Sequence, residues 1–338
     1  MTELARELLI WFEDNGRKNL PWQSSSPNIY HIWLSEVMLQ QTQVVTVIGY
    51  FNAFIKAFPD MNALARARED KIMALWAGLG YYSRARNLHK TAKIISSQYG
   101  GVFPKSYSEI VALPGIGPST AGAILSLGSN LEAPILDGNV KRFLARYHRV
   151  KGHYSKISVM KELWRLAKFH TPSKKNADYT QAIMDIGATI CTPKNPNCSI
   201  CPVSSNCEAF LNNEQLSFPE KKITRTSKPE KNLAFLVYMN EKNEVFLTKR
   251  PSSGIWGGLW SFEECQDKST IVSKAIKRHN KSASILRRLE KFKHAFSHYN
   301  LWITPIIINS PGGSKNYFQT KSLSKGVPAP TKKIIQSL

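Results

Sequence analysis

The sequence predicts a two-domain protein in which an all-α part precedes a small α+β domain. The chain has 338 residues, 42% of them hydrophobic, so it can bury more than one core and is not wholly disordered. Apolar residues recur at helical spacing to about residue 190, whereas short strand-like runs follow residue 231. We therefore expect one domain over 1–210, a linker over 211–231 and a second domain over 232–338.

The change of pattern along the chain supports this division. Helical spacing is clearest in 4–12, 44–55 and 140–147. Residues 211–232 lose the spacing and are rich in charge, Pro and Ser, as is typical of a linker. Beyond them, strands are predicted at 232–239, 244–248 and 300–308, with a helix near 270–280.

The charge balance predicts a polyanionic partner, with nucleic acid favoured. Lys and Arg number 46 against 24 Asp and Glu, a net charge of +22, and phosphates release counterions when such side chains neutralise them. Residues 1–210 carry +9 and residues 211–338 carry +13. No run approaches the ~20 apolar residues of a bilayer helix, and the N-terminal stretch lacks a signal-peptide core. We expect a cytoplasmic, nucleoid-associated protein without membrane contact.

Four cysteines form a compact array at Cys191, Cys198, Cys201 and Cys207, while Cys265 stands alone. In a chain without a secretion signal, thiols this dense are typical of metal ligands rather than disulfides. Four thiolates suit either a structural zinc or an iron–sulfur cube, and ligand chemistry does not choose between them. Because no ligand position stays open, we expect a structural site. Cys265 is expected to be a buried apolar residue.

The sequence Pro114-Gly115-Ile116-Gly117 predicts a tight connection between two helices. Its glycines let the backbone turn and bring free N–H groups of the second helix close to an anion. An ordinary helix–helix turn is the alternative, but in a chain this basic we favour a DNA phosphate. Pro118 suits the first turn of the second helix, where a missing N–H costs nothing.

Glu36 projects from an apolar helical stripe. Ile32, Trp33, Leu39 and Gln40 share its face at i−4, i−3, i+3 and i+4. Desolvation there should raise the pKa of the carboxyl and keep it protonated near neutrality, which suits a proton donor. The alternative is a glutamate at the edge of the stripe, paired with an arginine.

Asp137 precedes Gly138-Asn139 at the predicted start of a helix. Free N–H groups and the helix dipole favour its ionised form, so we expect a lowered pKa; a simple cap is the alternative. One raised and one lowered carboxyl pKa suit acid-assisted cleavage of a glycosidic bond. That reaction needs a proton for the leaving group and a negative charge beside the oxocarbenium ion.

These motifs, in this order, resemble the adenine DNA glycosylases of the MutY family, within the helix-hairpin-helix superfamily that also holds endonuclease III. The motifs are LPW (20–22), WLSEVMLQQTQV (33–44), GLGYYSRARNLH (78–89), LPGIGPSTAGAI (113–124), PILDGNVKR (134–142), QAIMDIGATIC (181–191) and the cysteine array. They cover nearly all of 1–210. The resemblance implies a [4Fe-4S] cluster over 191–207 and a monomer. It also implies base excision repair, with adenine removed opposite 8-oxoguanine or guanine in double-stranded DNA.

The resemblance also implies roles for single residues. Glu36 corresponds to the acid that protonates adenine, Asp137 to the carboxylate that stabilises the sugar cation, and Asn139 to a residue that holds the site around the sugar. The adenine pocket is matched by Arg17, Leu20, Trp22 and Gln181. DNA contacts are matched by Gln40 and Tyr81, which wedge into the duplex, by Gly115 and Gly117, and by Lys141 near the sugar. A flipped base leaves a gap that such a wedge fills, although core packing is the alternative for Tyr81.

Ser119 separates two kinds of relative. Enzymes of this superfamily that also cut the strand place a lysine there, because an amine forms a Schiff base with the sugar. Ser119 therefore predicts a monofunctional glycosylase that uses water. Slow Schiff-base trapping at Lys141 stays open.

The second domain resembles, more weakly, the Nudix-like fold with which the family recognises 8-oxoguanine. The resemblance rests on SGIWGGLW (253–260) and HAFSHY (294–299), and it places Phe296, Ser297 and His298 on the reading loop. A Nudix hydrolase needs a string of glutamates for magnesium, and the residues after GGLW lack that pattern. We expect this domain to bind and not to hydrolyse; a plain surface loop is the alternative.

Two rival functions stay open at this point. One is a bifunctional glycosylase and abasic-site lyase for oxidised pyrimidines, of the endonuclease III type. The other is a binding module in which an iron–sulfur domain senses damage or redox state without catalysis.

Overall fold

The computed structural model describes residues 1–24, 26–222, 227–312 and 316–338. Four residues of the predicted linker, 223–226, lie outside the described residues. The chain divides into two compact units, Met1–Arg66 with Asn87–Thr224 and Ala67–Arg86 with Arg225–Leu338. We call them the helical unit and the C-terminal unit. Residues 67–86 fall in the C-terminal unit, although they lie inside the domain predicted over 1–210.

The described helices are short to medium in length and run in the order α1 (Glu3–Asn15), α2 (Ile29–Leu39), α3 (Val44–Ala57), α4 (Met61–Arg66), α5 (Glu69–Trp76), α6 (Ser83–Gln98), α7 (Tyr107–Val111), α8 (Pro118–Ser129), α9 (Gly138–Tyr147), α10 (Ile157–His170), α11 (Asn176–Thr189), α12 (Glu208–Leu211), α13 (Ser269–His279) and α14 (Ala329–Gln336). Single 3-10 turns occupy Cys198–Ile200 and Ser204–Asn206. None of these helices is both long enough and apolar enough to cross a bilayer.

The core of the helical unit forms where amphipathic helices meet. α1 begins at Thr2, whose hydroxyl accepts from the Ala5 N–H at 3.3 Å, and its stripe of Leu4, Leu8 and Phe12 is buried. That stripe packs in one cluster with apolar residues of α9, α10 and α11. α2 is buried on most of its surface, with Trp33, Leu34 and Met38 fully enclosed, and it contacts α3 and α8.

The C-terminal unit is built around a mixed sheet. Its strands are β1 (Glu230–Met239), β2 (Glu244–Phe246), β3 (Thr248–Lys249), β4 (Trp260–Ser261), β5 (Glu263–Gln266), β6 (Ser284–Arg288), β7 (Phe292–Ala295), β8 (Asn300–Asn309) and β9 (Tyr317–Gln319). The described sheet runs β6-β8-β1-β2-β9, with β5 also on β1 and β7 also on β8, while β3 and β4 pair separately. β1 and β8 are parallel, and α13 covers alternate residues of both.

The predicted fold class is confirmed, with differences in detail. The run 244–248 splits into β2 and β3, and the helix predicted near 270–280 is α13. Part of the predicted linker is docked on the helical unit: Arg149 bonds Glu214 at 2.6 Å, Glu220 accepts from the Gly152 N–H at 2.7 Å, and Phe218 is buried.

Candidate active site

Glu36 lies near the end of α2, a helix that is buried on most of its surface. Its neighbours Ser35 and Val37 are buried, and the residue itself keeps only partial exposure. Burial, followed by the negative charge of Asp137, raises the pKa of Glu36 to about 7. This is the direction that the sequence predicts, and it leaves a proton on the carboxyl near neutrality.

Asp137 is the N-cap of α9, as the sequence predicts, but the expected direction of its pKa is wrong. Its carboxylate accepts from the Val140 N–H at 2.8 Å. Burial raises the pKa, and the N–H groups of Val140 and Asn139 with the charges of Arg142 and Lys141 oppose it without reversing it. The cap position alone suggested an exposed carboxyl, whereas the Asp137 side chain is partly buried. The negative charge of Asp137 thus adds to the effect of burial on the pKa of Glu36.

Asn139 is held by Arg142, one turn further along α9. The Arg142 guanidinium donates to the Asn139 side-chain oxygen at 2.9 Å and to the Cys191 carbonyl at 2.8 Å. Gly187 leaves room for Asn139, because a Cβ added there would come within 2.6 Å of the Asn139 Cβ. The N-terminal end of α9 is therefore tied to the start of the cysteine loop. Lys141, on the outer side, lies over the Tyr154 ring at 5.7 Å.

Three of the four predicted pocket residues line one cavity of about 380 Å³. Arg17, Trp22 and Gln181 lie on its wall, together with Ile32, which is one turn before Glu36 on α2. Leu20 is not on the wall, and its N–H instead donates to the Gln23 side chain at 3.0 Å. The cavity falls within the size range of small-molecule sites, which suits a flipped base.

Asp185 organises this pocket, and sequence reasoning missed it. The buried carboxylate accepts from the Arg17 guanidinium at 2.6 and 2.9 Å and from the Arg17 N–H at 2.8 Å. It also accepts from Gln181 at 2.7 Å. One feature of the sequence could have identified Asp185: it lies four residues after Gln181, on the same face of α11.

Ser119 lies in the first turn of α8, beside the segment that leads to Asp137. Its hydroxyl oxygen accepts from the Leu136 N–H at 2.9 Å. A serine at this place therefore supports the backbone immediately before Asp137. This role of Ser119 also escaped the sequence analysis.

The predicted hairpin forms between α7 and α8. Gly115 has φ +78°, and a Cβ there would come within 2.8 Å of Asn87. Gly117 is the N-cap of α8 and Pro118 its first residue. Open space surrounds the Cβ position of Gly117. Gln40, which follows α2, donates to the Thr120 hydroxyl at 3.4 Å and so lies near the same turn.

The four clustered cysteines line one small cavity in the helical unit. All are free thiols, and the buried Arg146 donates to the Cys191 Sγ at 3.2 Å. Across the described residues, no three His, Cys, Asp or Glu side chains converge closely enough to hold a single ion. Cys265, on β5, is only partly buried, which corrects its expected full burial.

Tyr81 and the predicted reading loop lie in the C-terminal unit. Tyr81 is 49% exposed and has φ +48°, so core packing does not explain it. Phe296 closes a turn between β7 and β8 by donating its N–H to the Tyr299 carbonyl at 2.9 Å, and its ring contacts Trp256 at 5.2 Å. Ser297 and His298 are exposed at the tip of this turn.

Two parts of the chain match known protein families. Residues 34–169 match the HhH-GPD superfamily of base excision DNA repair proteins, and residues 234–337 match the NUDIX domain. An adenine DNA glycosylase of Buchnera aphidicola subsp. Baizongia pistaciae is 44% identical over 100% of this chain and 98% of its own length. The chain belongs to the adenine DNA glycosylase family. The human adenine DNA glycosylase is 31% identical over 89% of this chain and 66% of its own length.

Solved structures share the fold over part of the chain. A thermostable thymine-DNA glycosylase aligns with a TM-score of 0.56 and 26% identity, over 62% of this chain and 95% of that one. An endonuclease III–DNA complex shares the fold, with a TM-score of 0.52 and 19% identity over 62% of this chain and 94% of that one.

The cysteine loop has its own match. Residues 191–207 match the iron–sulfur binding domain of endonuclease III. The chain is thus an iron–sulfur member of the adenine DNA glycosylase family, and a [4Fe-4S] cluster is the cofactor of this loop. The match decides against the zinc alternative.

Proposed function

We propose that this chain is a monofunctional adenine DNA glycosylase that removes adenine opposite 8-oxoguanine or guanine in double-stranded DNA during base excision repair. The observation that carries the proposal is the presence of two partly buried carboxyls with raised pKa values, Glu36 and Asp137, in the same unit as a cavity fit for a base. A lone surface carboxylate could not keep a proton at neutral pH.

The first step is assisted departure of the base. Protonated Glu36 donates its proton to a ring nitrogen of adenine while the bond between C1′ and the base breaks and its electron pair moves to the base. Because the pKa of Glu36 is about 7, its carboxyl is matched to proton transfer near neutral pH.

The second role is stabilisation of the sugar cation. Ionised Asp137 supplies a negative charge beside the oxocarbenium ion, and the N–H groups of Val140 and Asn139 hold that charge in place. Water then forms the new bond to C1′ and gives up a proton to the carboxylate pair. The products are free adenine and an abasic site.

The pocket supplies base recognition. Arg17 and Gln181 each bond Asp185, so their remaining donors are held in a fixed arrangement on the cavity wall. Trp22 is buried there and offers an aromatic surface, and its ring meets Phe51 edge-on at 5.4 Å. Fixed polar groups beside an aromatic ring are typical of sites that read a flipped base.

The absence of lyase chemistry follows from Ser119. Its hydroxyl accepts a backbone hydrogen bond and has no amine to form a Schiff base. The endonuclease III type of reaction therefore lacks its nucleophile at this position. When bound, the [4Fe-4S] cluster supplies a structural crosslink of the 191–207 loop, which Arg142 and Arg146 connect to α9.

DNA binding is divided between the units. In the helical unit, the open N-terminus of α8 at Gly117 takes a phosphate, and Gln40 enters the duplex beside the mispair. In the C-terminal unit, Tyr81 fills the space left by the flipped base, and Phe296, Ser297 and His298 read the opposite base. We assign a monomeric state and a cytoplasmic, nucleoid-associated location.

The test is single-turnover release of adenine from duplexes carrying 8-oxoguanine or guanine opposite it. We expect Glu36→Gln to slow release by about 10² to 10⁴-fold, because general acid catalysis contributes about that much, with duplex affinity unchanged. Wild-type rates in Glu36→Gln would contradict the acid role. Borohydride trapping coupled to strand cleavage by the wild type would establish the lyase instead.

A further inference from the structure

Residues 67–86 match one family in sequence but pack with the other part of the chain in the structure. The segment lies within the 34–169 match to the HhH-GPD superfamily, yet it belongs to the C-terminal unit. It contains α5, the turn that carries Tyr81 and the start of α6. We call it the wedge segment.

A pair of salt bridges connects α5 to the strand-rich part of the C-terminal unit. The Asp70 carboxylate bonds Lys249 of β3 at 2.6 Å and Lys325, which precedes α14, at 3.0 Å. Lys325 also lies over the Trp260 ring at 4.9 Å. Burial favours a higher pKa for Asp70, but the hydrogen bonds and charges of the two lysines outweigh it and lower the pKa. We call these three residues the clasp.

Glycines bring the backbones together beside the clasp. A Cβ on Gly326 would come within 2.6 Å of the Met73 carbonyl oxygen, so only glycine fits against α5 there. Gly258, with φ +80°, lies beside Glu69 and Met73. The wedge segment is therefore packed tightly on residues 249–326 of the same unit at several points.

The turn that carries Tyr81 is itself rigidly supported. The buried Arg84 donates to the carbonyls of Leu79 at 3.3 Å and Gly80 at 3.2 Å. Its guanidinium lies over the rings of Trp76 at 5.4 Å and Tyr81 at 5.5 Å. A bulky residue at positive φ persists only where its surroundings fix it, so the backbone at Tyr81 is held in one conformation.

A continuous path joins this turn to the reading loop. Phe296 packs on Trp256, the next residue Gly257 accepts from Arg86 through its carbonyl, and Arg86 lies in the wedge segment. Trp256 is buried with φ +56°, a second fixed aromatic in a disfavoured conformation. Rigid connections of this kind transmit position between two sites.

We propose that the clasp of Asp70 with Lys249 and Lys325 is a positioning device that couples insertion of Tyr81 to reading of the opposite base. This inference rests on the proposed function, because it takes the wedge and reading roles from there. When the loop at 296–298 engages 8-oxoguanine, the clasp holds Tyr81 at the depth needed to support the flipped adenine. When guanine is the opposite base, the loop at 296–298 has no 8-oxoguanine to bind, so Tyr81 is held less firmly than opposite 8-oxoguanine.

Charge reversal tests the clasp in the full-length protein. Asp70→Lys sets three lysines together, and combining it with Lys249→Asp and Lys325→Asp restores opposite charges. Glu241→Lys, on the exposed turn between β1 and β2, makes the same change in net charge away from the clasp. The readouts are the ratio of adenine-release rates opposite 8-oxoguanine and guanine, and amide hydrogen exchange of residues 77–86.

We expect Asp70→Lys to lower the rate ratio about tenfold relative to Glu241→Lys and to speed exchange in 77–86, while the rate opposite guanine stays unchanged. The triple variant should restore both readouts. Equal behaviour of Asp70→Lys and Glu241→Lys would overturn the proposal, as would faster exchange with an unchanged ratio. If the wild type released no adenine from either duplex, the proposed function would fail. Fluorescence of 2-aminopurine beside the mispair would then report Tyr81 insertion and still decide the coupling.

Discussion

Two environments for charged side chains can be compared, one from each unit. In the helical unit, Asp185 and Arg146 are buried, and each is held by several hydrogen bonds. In the C-terminal unit, lysines lie over aromatic rings near the surface: Lys231 is 4.8 Å from the Tyr299 ring, and Lys293 is 5.8 Å from the Trp302 ring.

This difference separates the demands of chemistry from those of recognition. Proton transfer needs carboxyls whose pKa values are shifted, and that requires enclosure and fixed partners. Contact with a duplex needs cations that stay in solvent reach, and a ring beneath a lysine orients it without removing it from water. The two units are therefore expected to respond differently to substitution.

The largest effect on stability is expected at Asp185. Asp185→Ala leaves Arg17 and Gln181 without their shared acceptor, and breaking a buried ion pair costs on the order of 3 kcal/mol. The Arg17 side chain is 30% exposed and can turn partly to water, so we expect a loss no larger than this value. Urea unfolding of the helical unit would measure the loss.

The matched control for Asp185 is Glu162→Ala. Glu162 pairs with Arg165 at 2.7 Å on the surface, with both side chains more than 40% exposed, so its loss should stay within about 1 kcal/mol. Equal destabilisation by the two variants would contradict the contrast between buried and exposed charge.

The next effect concerns pH. Because the pKa of Glu36 is about 7 and the proton donor must be protonated, the single-turnover rate should fall above pH 7, by about tenfold per unit well above the pKa. Below pH 7 the rate should level off, then decline once Asp137, whose pKa is also raised, loses its charge.

Glu36→Gln provides the control for this profile. Its residual rate should lose the decline above pH 7, since the amide does not titrate. A wild-type rate that rises through pH 7 would show that Glu36 acts in its ionised form.

The sequence predicts much of the helical unit because local rules act there. The cap at Asp137, Pro118 at the start of α8 and the spread of helices all follow from residue type and spacing. The raised pKa of Glu36 follows from the apolar stripe around it. The predicted direction of the Asp137 pKa shift was wrong because a cap is a local feature, whereas the burial of Asp137 depends on how the helices pack.

Other features depend on contacts between distant residues. Asp185 meets Arg17 across 168 positions, and Asp70 meets Lys325 across 255, so neither pairing has a sequence pattern. β6 escaped prediction because all five of its residues are exposed and show no alternation. The membership of residues 67–86 in the C-terminal unit likewise depends on contacts between residues that are distant in sequence.

The most direct test compares one variant from each unit in the full-length protein. Single-turnover release of adenine opposite 8-oxoguanine and opposite guanine would be measured for Glu36→Gln and for Ser297→Ala combined with His298→Ala. Glu36→Gln should lower both rates by the same large factor. The loop variant should lower only the rate opposite 8-oxoguanine, by about tenfold, as expected for loss of one or two hydrogen bonds. A loop variant that slows both reactions equally, or neither, would contradict the division of chemistry and recognition between the two units.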